Sequence, residues 1–154
     1  IDINKLIEES IQLFSRQHEN ISFDIKKGHL NKVEIDINKI QQVLNNLLLN
    51  SIDACDQTKK PIIKFETKTT KINSEKYCRI TINDNGQGFD ENIINSAFEP
   101  YQTSKEHGKG LGLAIVKSII DEHNGQIKID NNNVGAIIKI LLPVEQKNPR
   151  ETIR

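Results

Sequence analysis

In Cys78-Arg79-Ile80-Thr81-Ile82-Asn83-Asp84-Asn85-Gly86-Gln87-Gly88, apolar and polar residues alternate and then stop at two closely spaced glycines. A period of two belongs to a strand with one buried face, so Cys78, Ile80 and Ile82 point to one side and Asp84 falls on that same side. A carboxylate therefore ends an apolar row. Burying it unpaired is costly, so Asp84 needs a donor, and the Asn85 to Gly88 turn beside it leaves room for a ligand. The plainer alternative is an Asp-Asn-Gly turn whose side chain bonds its own backbone.

Outward from this strand, Ile62 to Lys71 reads as its partner across the polar turn Ile72-Asn73-Ser74-Glu75. Before Pro61, a helix is predicted from Asp36 to about Thr58, with Ile37, Ile40, Val43, Leu44, Leu47, Leu48, Ile52 and Cys55 on one apolar stripe. An amphipathic helix is predicted over residues 2 to 16. The alternating run Ile21 to Ile25 and the shorter Val33-Glu34-Ile35, separated by the turn signal Gly28 to Asn31, are expected to pair as a hairpin. Downstream, a short helix from about Asp90 to Ala97 precedes the aperiodic stretch Phe98 to Gly110, a loop of the length usually kept for function. Leu111 to His123 reads as a helix stopped by Asn124-Gly125. Strands Gln126 to Asp130 and Val134 to Leu142 close the pattern. This order suggests an α+β fold, an α/β sandwich with one mixed sheet, helices packed on one face and the other face partly wet. The expected domain is residues 1 to 143, with a polar tail from 144 to 154.

The 154 residues suit one core, and 21 Lys+Arg against 21 Asp+Glu give a formal net charge of zero. That balance argues against a general nucleic-acid binder or an anionic-membrane binder, and no nucleic-acid or direct membrane contact is expected. No apolar run approaches the roughly 20 residues that cross a bilayer, and the beginning does not read as a signal peptide. Starting at Ile1, the chain reads as a piece of a longer protein and is expected to be monomeric by itself. Cys55 and Cys78, without Cys-x-x-Cys spacing or a nearby His pair, are expected to be reduced core thiols. His18, His29 and His107 read as surface or loop histidines, and His123 as a helix-terminal one where a cation is mildly favoured.

Two further patterns carry chemistry. Asn46, Asn50 and Asp53 are spaced four and three apart, on one helix face turned away from the apolar stripe. Such a face is either solvated surface or a polar wall, and an Asn carbonyl oxygen is a suitable hard ligand for a Mg²⁺ that also holds phosphate oxygens and waters. Gly108-Lys109-Gly110-Leu111-Gly112-Leu113 sits at the mouth of a helix, whose amides and dipole favour anions. It is neither a Walker A loop nor a Rossmann fingerprint.

With these motifs in order, the chain resembles the ATP-binding catalytic domain of sensor histidine kinases, within the gyrase, heat-shock-90, kinase and mismatch-repair ATPase superfamily. Gln42 to Ser51 looks like the N box, Asp84 to Gly88 the G1 box, Phe98-Glu99-Pro100-Tyr101 the F box and Gly108 to Leu113 the G2 box. The stretch Glu99 to Lys105 leading into Gly110 to Val116 is most similar to nitrogen-regulation kinases of the NtrY and NtrB type. The resemblance implies ATP and Mg²⁺ as cofactors. Asn50 would ligate Mg²⁺, Asp84 would accept from the adenine amino group, and Gly86 and Gly88 would shape the adenine end. The mobile ATP lid would run from Phe98 to Gly110, bringing Thr103, Ser104 and Lys105 to the phosphates, while Gly108, Gly110, Leu111 and Gly112 supply amides. Asn46 and Asp53 complete the expected nucleotide-binding wall, and Asn46, Asn50 and Lys105 are the expected catalytic residues. Two positions depart from the pattern: Ser51 replaces the usual Ala, and Lys109 a common Thr.

Where the superfamily's hydrolases carry a water-activating glutamate, this chain has Asn46, and a neutral amide cannot serve as a general base. Catalysis would then rest on in-line positioning and Mg²⁺. The implied function is transfer of the ATP γ-phosphate to a histidine on an upstream dimerisation domain, then relay to a response regulator, in a cytoplasmic setting. The alternatives are an anti-sigma-type serine kinase, or a degenerate nucleotide-binding docking module. A gyrase-type clamp would call for Glu at position 46.

Overall fold

The structure, a computed structural model, describes residues 1–92, 94–99 and 112–145. Helix α1 (Ile3–Ser15) starts where the Asp2 carboxylate accepts the Lys5 N–H at 3.3 Å, and it buries Ile3, Leu6, Ile7, Ser10 and Phe14. Strand β1 (Ser22–Lys26) follows, then α2 (Ile37–Ala54), capped by Asp36 in the same way. The long strands β2 (Ile62–Ile72) and β3 (Glu75–Asp84) meet at Asn73 and Ser74, both with positive φ, as a tight two-residue hairpin turn requires. Helix α3 (Gly112–Glu122) and strands β4 (Gln126–Asn131) and β5 (Ala136–Pro143) complete the fold. Asn124 takes the left-handed conformation that ends α3, and the Gly125 N–H returns to the Ile120 carbonyl at 2.9 Å.

The five strands form one mixed sheet in the order β1-β2-β3-β5-β4, parallel between β1 and β2 and antiparallel elsewhere. Register puts Phe65, Ile82, Ile138 and Ile129 in one row across four strands, under the buried stripe of α2 and the Val116, Ile119 and Ile120 face of α3. The opposite face carries Lys64, Glu66, Lys68, Arg79, Lys139 and Lys128, so it is wet, as the alternation predicts.

Three local readings are corrected. Val33-Glu34-Ile35 is not a strand and makes no hairpin with β1; Val33 exchanges backbone hydrogen bonds with Ile1, and the Glu34 N–H bonds the Val144 carbonyl. The partner of β1 is instead β2, reached through α2 as a parallel crossover. The chain turns away at Gly28, whose N–H bonds Thr67 Oγ1 at 3.0 Å, with that hydroxyl in turn donating to Asn4. The helix expected from Asp90 to Ala97 is one turn of 3₁₀ helix, Ile94–Ser96. Helix α2 stops at Ala54, four residues short of the expected end, because Gly86 and Gln87 pack on its last carbonyl.

Candidate functional site

The site grows from the end of α2. Asn46 and Asn50 are half-buried on its polar face, and Asp53 is exposed. Asn50 precedes Ala54 by four residues, about 6 Å along the axis. There the Ala54 carbonyl accepts the Gln87 N–H at 3.0 Å. A Cβ at Gly86 would come within 2.4 Å of that same oxygen, so only glycine lets the turn close on the helix end. The polar face of α2 thus leads directly into the Asp84 to Gly88 turn.

Asp84 is 4% exposed, on the apolar side of β3 as its period predicts. Its Oδ1 accepts the Gly86 N–H at 2.9 Å and the Ala136 N–H at 3.4 Å. The first bond is the self-satisfied turn of the plainer reading; the second comes from another strand and fixes the plane of the carboxyl group. Backbone amides of its own turn and of β5 thus orient the carboxylate. Gly88 has φ of +79°, and a Cβ there would meet Asn131 Oδ1 at 2.7 Å.

The sequence reading missed the residues that brace this turn from β4 and β5. A Cβ on Gly135 would lie 2.3 Å from the Asp84 carbonyl and 3.0 Å from the Gly86 nitrogen. Asn132 Oδ1 accepts the Val134 and Gly135 N–H groups, each at 3.0 Å, and its amide donates to Asn83 at 3.2 Å. Asn131 holds Phe89 from both sides, accepting its N–H at 2.7 Å and donating to its carbonyl at 2.8 Å. Asn85 accepts the Ile62 N–H at 2.7 Å and donates to the Lys60 carbonyl at 2.9 Å. The only sequence signal was an Asn-rich turn ending in glycine, which reads as a connection between strands.

Two further polar groups are buried. His123, read from the sequence as a helix-terminal histidine, is 7% exposed: its Nε2 accepts the Asp36 N–H at 3.1 Å, and its Nδ1 lies 2.8 Å from the Ile119 carbonyl. The cause is the packing of α3 on α2, which covers the helix end. Ser51 is buried within the apolar stripe, with no hydrogen-bond partner for its hydroxyl among the described residues. Cys55 and Cys78 are free and buried, as expected. Burial, the Asp84 charge and a weaker opposing contact with Asn85 set the Cys55 thiol up at about 11, and burial alone lifts Cys78 to about 12.

Asn46, Asn50, Asp53, Asp84, Gly86 and Gly88 therefore gather on α2 and the turn it abuts. Gly112 opens α3, and among the described residues a Cβ there would meet nothing within 4 Å. Thr103, Ser104, Lys105, Gly108, Gly110, Leu111 and His107, with most of the expected lid, lie outside the described residues. Among the described residues, no group of three His, Cys, Asp or Glu side chains could hold a metal. An Asn carbonyl with an exposed carboxylate one turn away fits Mg²⁺ that takes most of its ligands from phosphates and water.

A mixed sheet sharing one core with three helices, with a polar helix face running into a glycine turn around a buried carboxylate, defines a nucleotide-binding α/β sandwich of the ATPase kind. The chain belongs to the histidine kinase-, DNA gyrase B-, and HSP90-like ATPase family, whose model matches residues 35–146, and within it to the catalytic ATP-binding domains of histidine kinases. It is 39% identical over 112 residues to a sensor histidine kinase called NtrY-like from Rickettsia bellii, covering 72% of this chain and 18% of that one. To the sensor histidine kinase ZraS of Salmonella typhimurium it is 32% identical over 148 residues, 94% of this chain and 31% of the relative. The chain thus spans about a third or less of these relatives. Among solved structures, the nucleotide-free catalytic domain of histidine kinase ThkA superposes with a TM-score of 0.82 at 30% identity, covering 94% of this chain and 93% of that one. A second structure shows ThkA in complex with the response regulator protein TrrA, with a TM-score of 0.78 at 29% identity, covering 95% of this chain and 41% of that one. Among the described residues, no helix is long and apolar enough to cross a membrane.

Proposed function

We propose that this domain binds ATP with Mg²⁺ and delivers the γ-phosphoryl group to a histidine on an upstream dimerisation domain of a longer cytoplasmic or cytoplasm-facing sensor kinase, for relay to a response regulator. The observation that carries the reading is the Asp84 carboxylate, buried, aimed by two backbone amides and framed by Gly86 and Gly135, neither of which leaves room for a Cβ. A carboxylate so held accepts from an exocyclic amine and discriminates adenine from a base presenting a carbonyl. Asn50 serves as the protein ligand for Mg²⁺, which, when bound, neutralises phosphate charge. Asn46 presents a neutral amide that can orient a phosphate oxygen but cannot take a proton from water, which favours transfer over hydrolysis. In this reading Thr103, Ser104 and Lys105 approach the phosphates, and Gly108, Gly110, Leu111 and Gly112 supply backbone amides to them. The ThkA complex with a response regulator supports the relay step.

The test is phosphoryl transfer from γ-labelled ATP to a separately supplied dimerisation hairpin of the parent protein. Label that is acid-labile and base-stable on the hairpin is expected. Acid-stable phosphoserine on a partner, with none on the hairpin, would replace this reading by the serine-kinase one.

A further inference from the structure

We infer that His123 is a positioning residue of the nucleotide cleft, pinning together from their far ends the two helices that flank it; the inference rests on the nucleotide-binding reading above. His123 Nε2 lies 3.1 Å from the Asp36 backbone nitrogen, and its Nδ1 2.8 Å from the Ile119 carbonyl oxygen. An amide N–H only donates and a carbonyl only accepts, so both contacts are satisfied by one neutral tautomer, with the proton on Nδ1 and the lone pair on Nε2. Asp36 is the N-cap of α2, and its Oδ1 accepts the Lys39 N–H at 3.1 Å. Lys39 in turn pairs with Glu122 at 2.6 Å. One part-buried hydrogen bond, from an exposed N-cap to the buried His123 ring, and one exposed ion pair therefore join the end of α3 to the start of α2. The exposed pair contributes little. The hydrogen bond matters more, because its acceptor is a ring 7% exposed and removing it takes away the Asp36 N–H's partner.

What this junction controls lies at the other ends of the helices. From Lys39 to Asn50 along α2 is about 16 Å, and from Glu122 back to Gly112 along α3 about 15 Å. The helices pack side by side between these points, with Val116, Ile119 and Ile120 buried on the α3 side. A tilt of about 4° about the junction shifts a point 15 Å away by about 1 Å, a misplacement large enough to matter for ligand geometry. Helices packed at crystal-like density transmit that shift rather than absorb it. His123 thus sets the separation between the Asn46 and Asn50 face and the start of α3 without touching nucleotide.

The experiment is calorimetric titration of the chain with a non-hydrolysable ATP analogue and Mg²⁺ for wild type, His123→Leu and His123→Gln, with circular dichroism confirming the fold at the titration temperature. Glutamine offers a side-chain oxygen that can accept the Asp36 N–H; leucine offers none. The leucine variant is expected to bind at least fivefold more weakly while folded, and the glutamine variant within twofold of wild type. A folded leucine variant that binds like wild type overturns the inference, as does equal loss in both variants, which would mark a merely structural role. If the leucine variant does not fold, amide exchange in the wild type decides. Coupling is reciprocal, so saturating nucleotide is expected to slow exchange of the Asp36 N–H at least threefold, and an unchanged rate overturns the inference. A wild-type chain that binds no nucleotide refutes the functional reading and takes this inference with it, whereas wild-type binding with an unaffected leucine variant refutes the inference alone.

Discussion

Replacing Asp84 by asparagine exchanges one carboxylate oxygen for an NH₂ group and leaves the side chain its size. The remaining oxygen can still accept the Gly86 and Ala136 N–H groups, now held at 2.9 and 3.4 Å, so the turn should keep its shape. What changes is the face offered to the ligand. An adenine amino group meeting a carboxylate gains a charge-assisted hydrogen bond worth about 2 kcal/mol, and one meeting an NH₂ group faces a second donor at a further cost of about 1 kcal/mol. About 3 kcal/mol is roughly a 150-fold loss of affinity. Calorimetry of the Asp84→Asn variant with a non-hydrolysable ATP analogue should show that loss, while the thermal midpoint moves by less than about 4 °C, the equivalent of about 1 kcal/mol for a chain of this size. Wild-type affinity in a folded variant would refute the assignment of Asp84 to the base. Affinity lost together with the fold would mean that the carboxylate serves only the turn.

Three other substitutions probe the surroundings. Gly135→Ala puts a methyl group 2.3 Å from the Asp84 carbonyl, and the displacement needed should lower stability by about 2 kcal/mol and weaken nucleotide binding as well, measured by urea unfolding and calorimetry. Ser51→Ala removes a buried hydroxyl that has no partner among the described residues, so it should stabilise the domain by about 1 kcal/mol and raise the midpoint by about 2 to 4 °C; a lower midpoint would mean that the hydroxyl is satisfied. Burial by the sheet pushes the Cys78 thiol up from its ordinary 9.0 to about 12. Below pH 9 both states hold the proton; above it only the unfolded chain loses it, so stability falls as pH rises towards about 12, by up to about 4 kcal/mol. Cys78→Ala should remove that part of the alkaline decline, and identical pH profiles for the two proteins would contradict the burial argument.

What could be read from the sequence was set by local periodicity. The apolar stripe of α2 and the alternation ending at Asp84 are both covered by one flat layer, so burial follows spacing directly. The Asn124-Gly125 stop is a backbone requirement and was equally legible. Val33-Glu34-Ile35 misled because alternation shows that a segment is extended, not what it pairs with; its neighbours are Ile1 and Val144, far away in the chain. Parallel pairing of β1 with β2 is non-local for the same reason. His123 was placed at a helix end by the sequence, but its burial depends on the packing of α3 on α2, which spacing along one helix does not show. Within the site, the glycines of the Asp84 turn were legible from type and spacing. Gly135 was not, because the need for glycine there comes from the approach of Asp84 and Gly86 across the sheet. Asn131 and Asn132 looked like generic turn residues, and their specific bonds to Phe89 and Asn83 depend on the β3 to β5 register.

The most direct measurement is a calorimetric titration of the chain with a non-hydrolysable ATP analogue, with and without Mg²⁺, for wild type and Asn50→Ala. Saturable one-to-one binding that Mg²⁺ strengthens in the wild type but not in the variant is the expected result. No heat at millimolar nucleotide, or the same Mg²⁺ dependence in both proteins, would contradict the central claim that the face of α2 ending at the Asp84 turn is a Mg-ATP site.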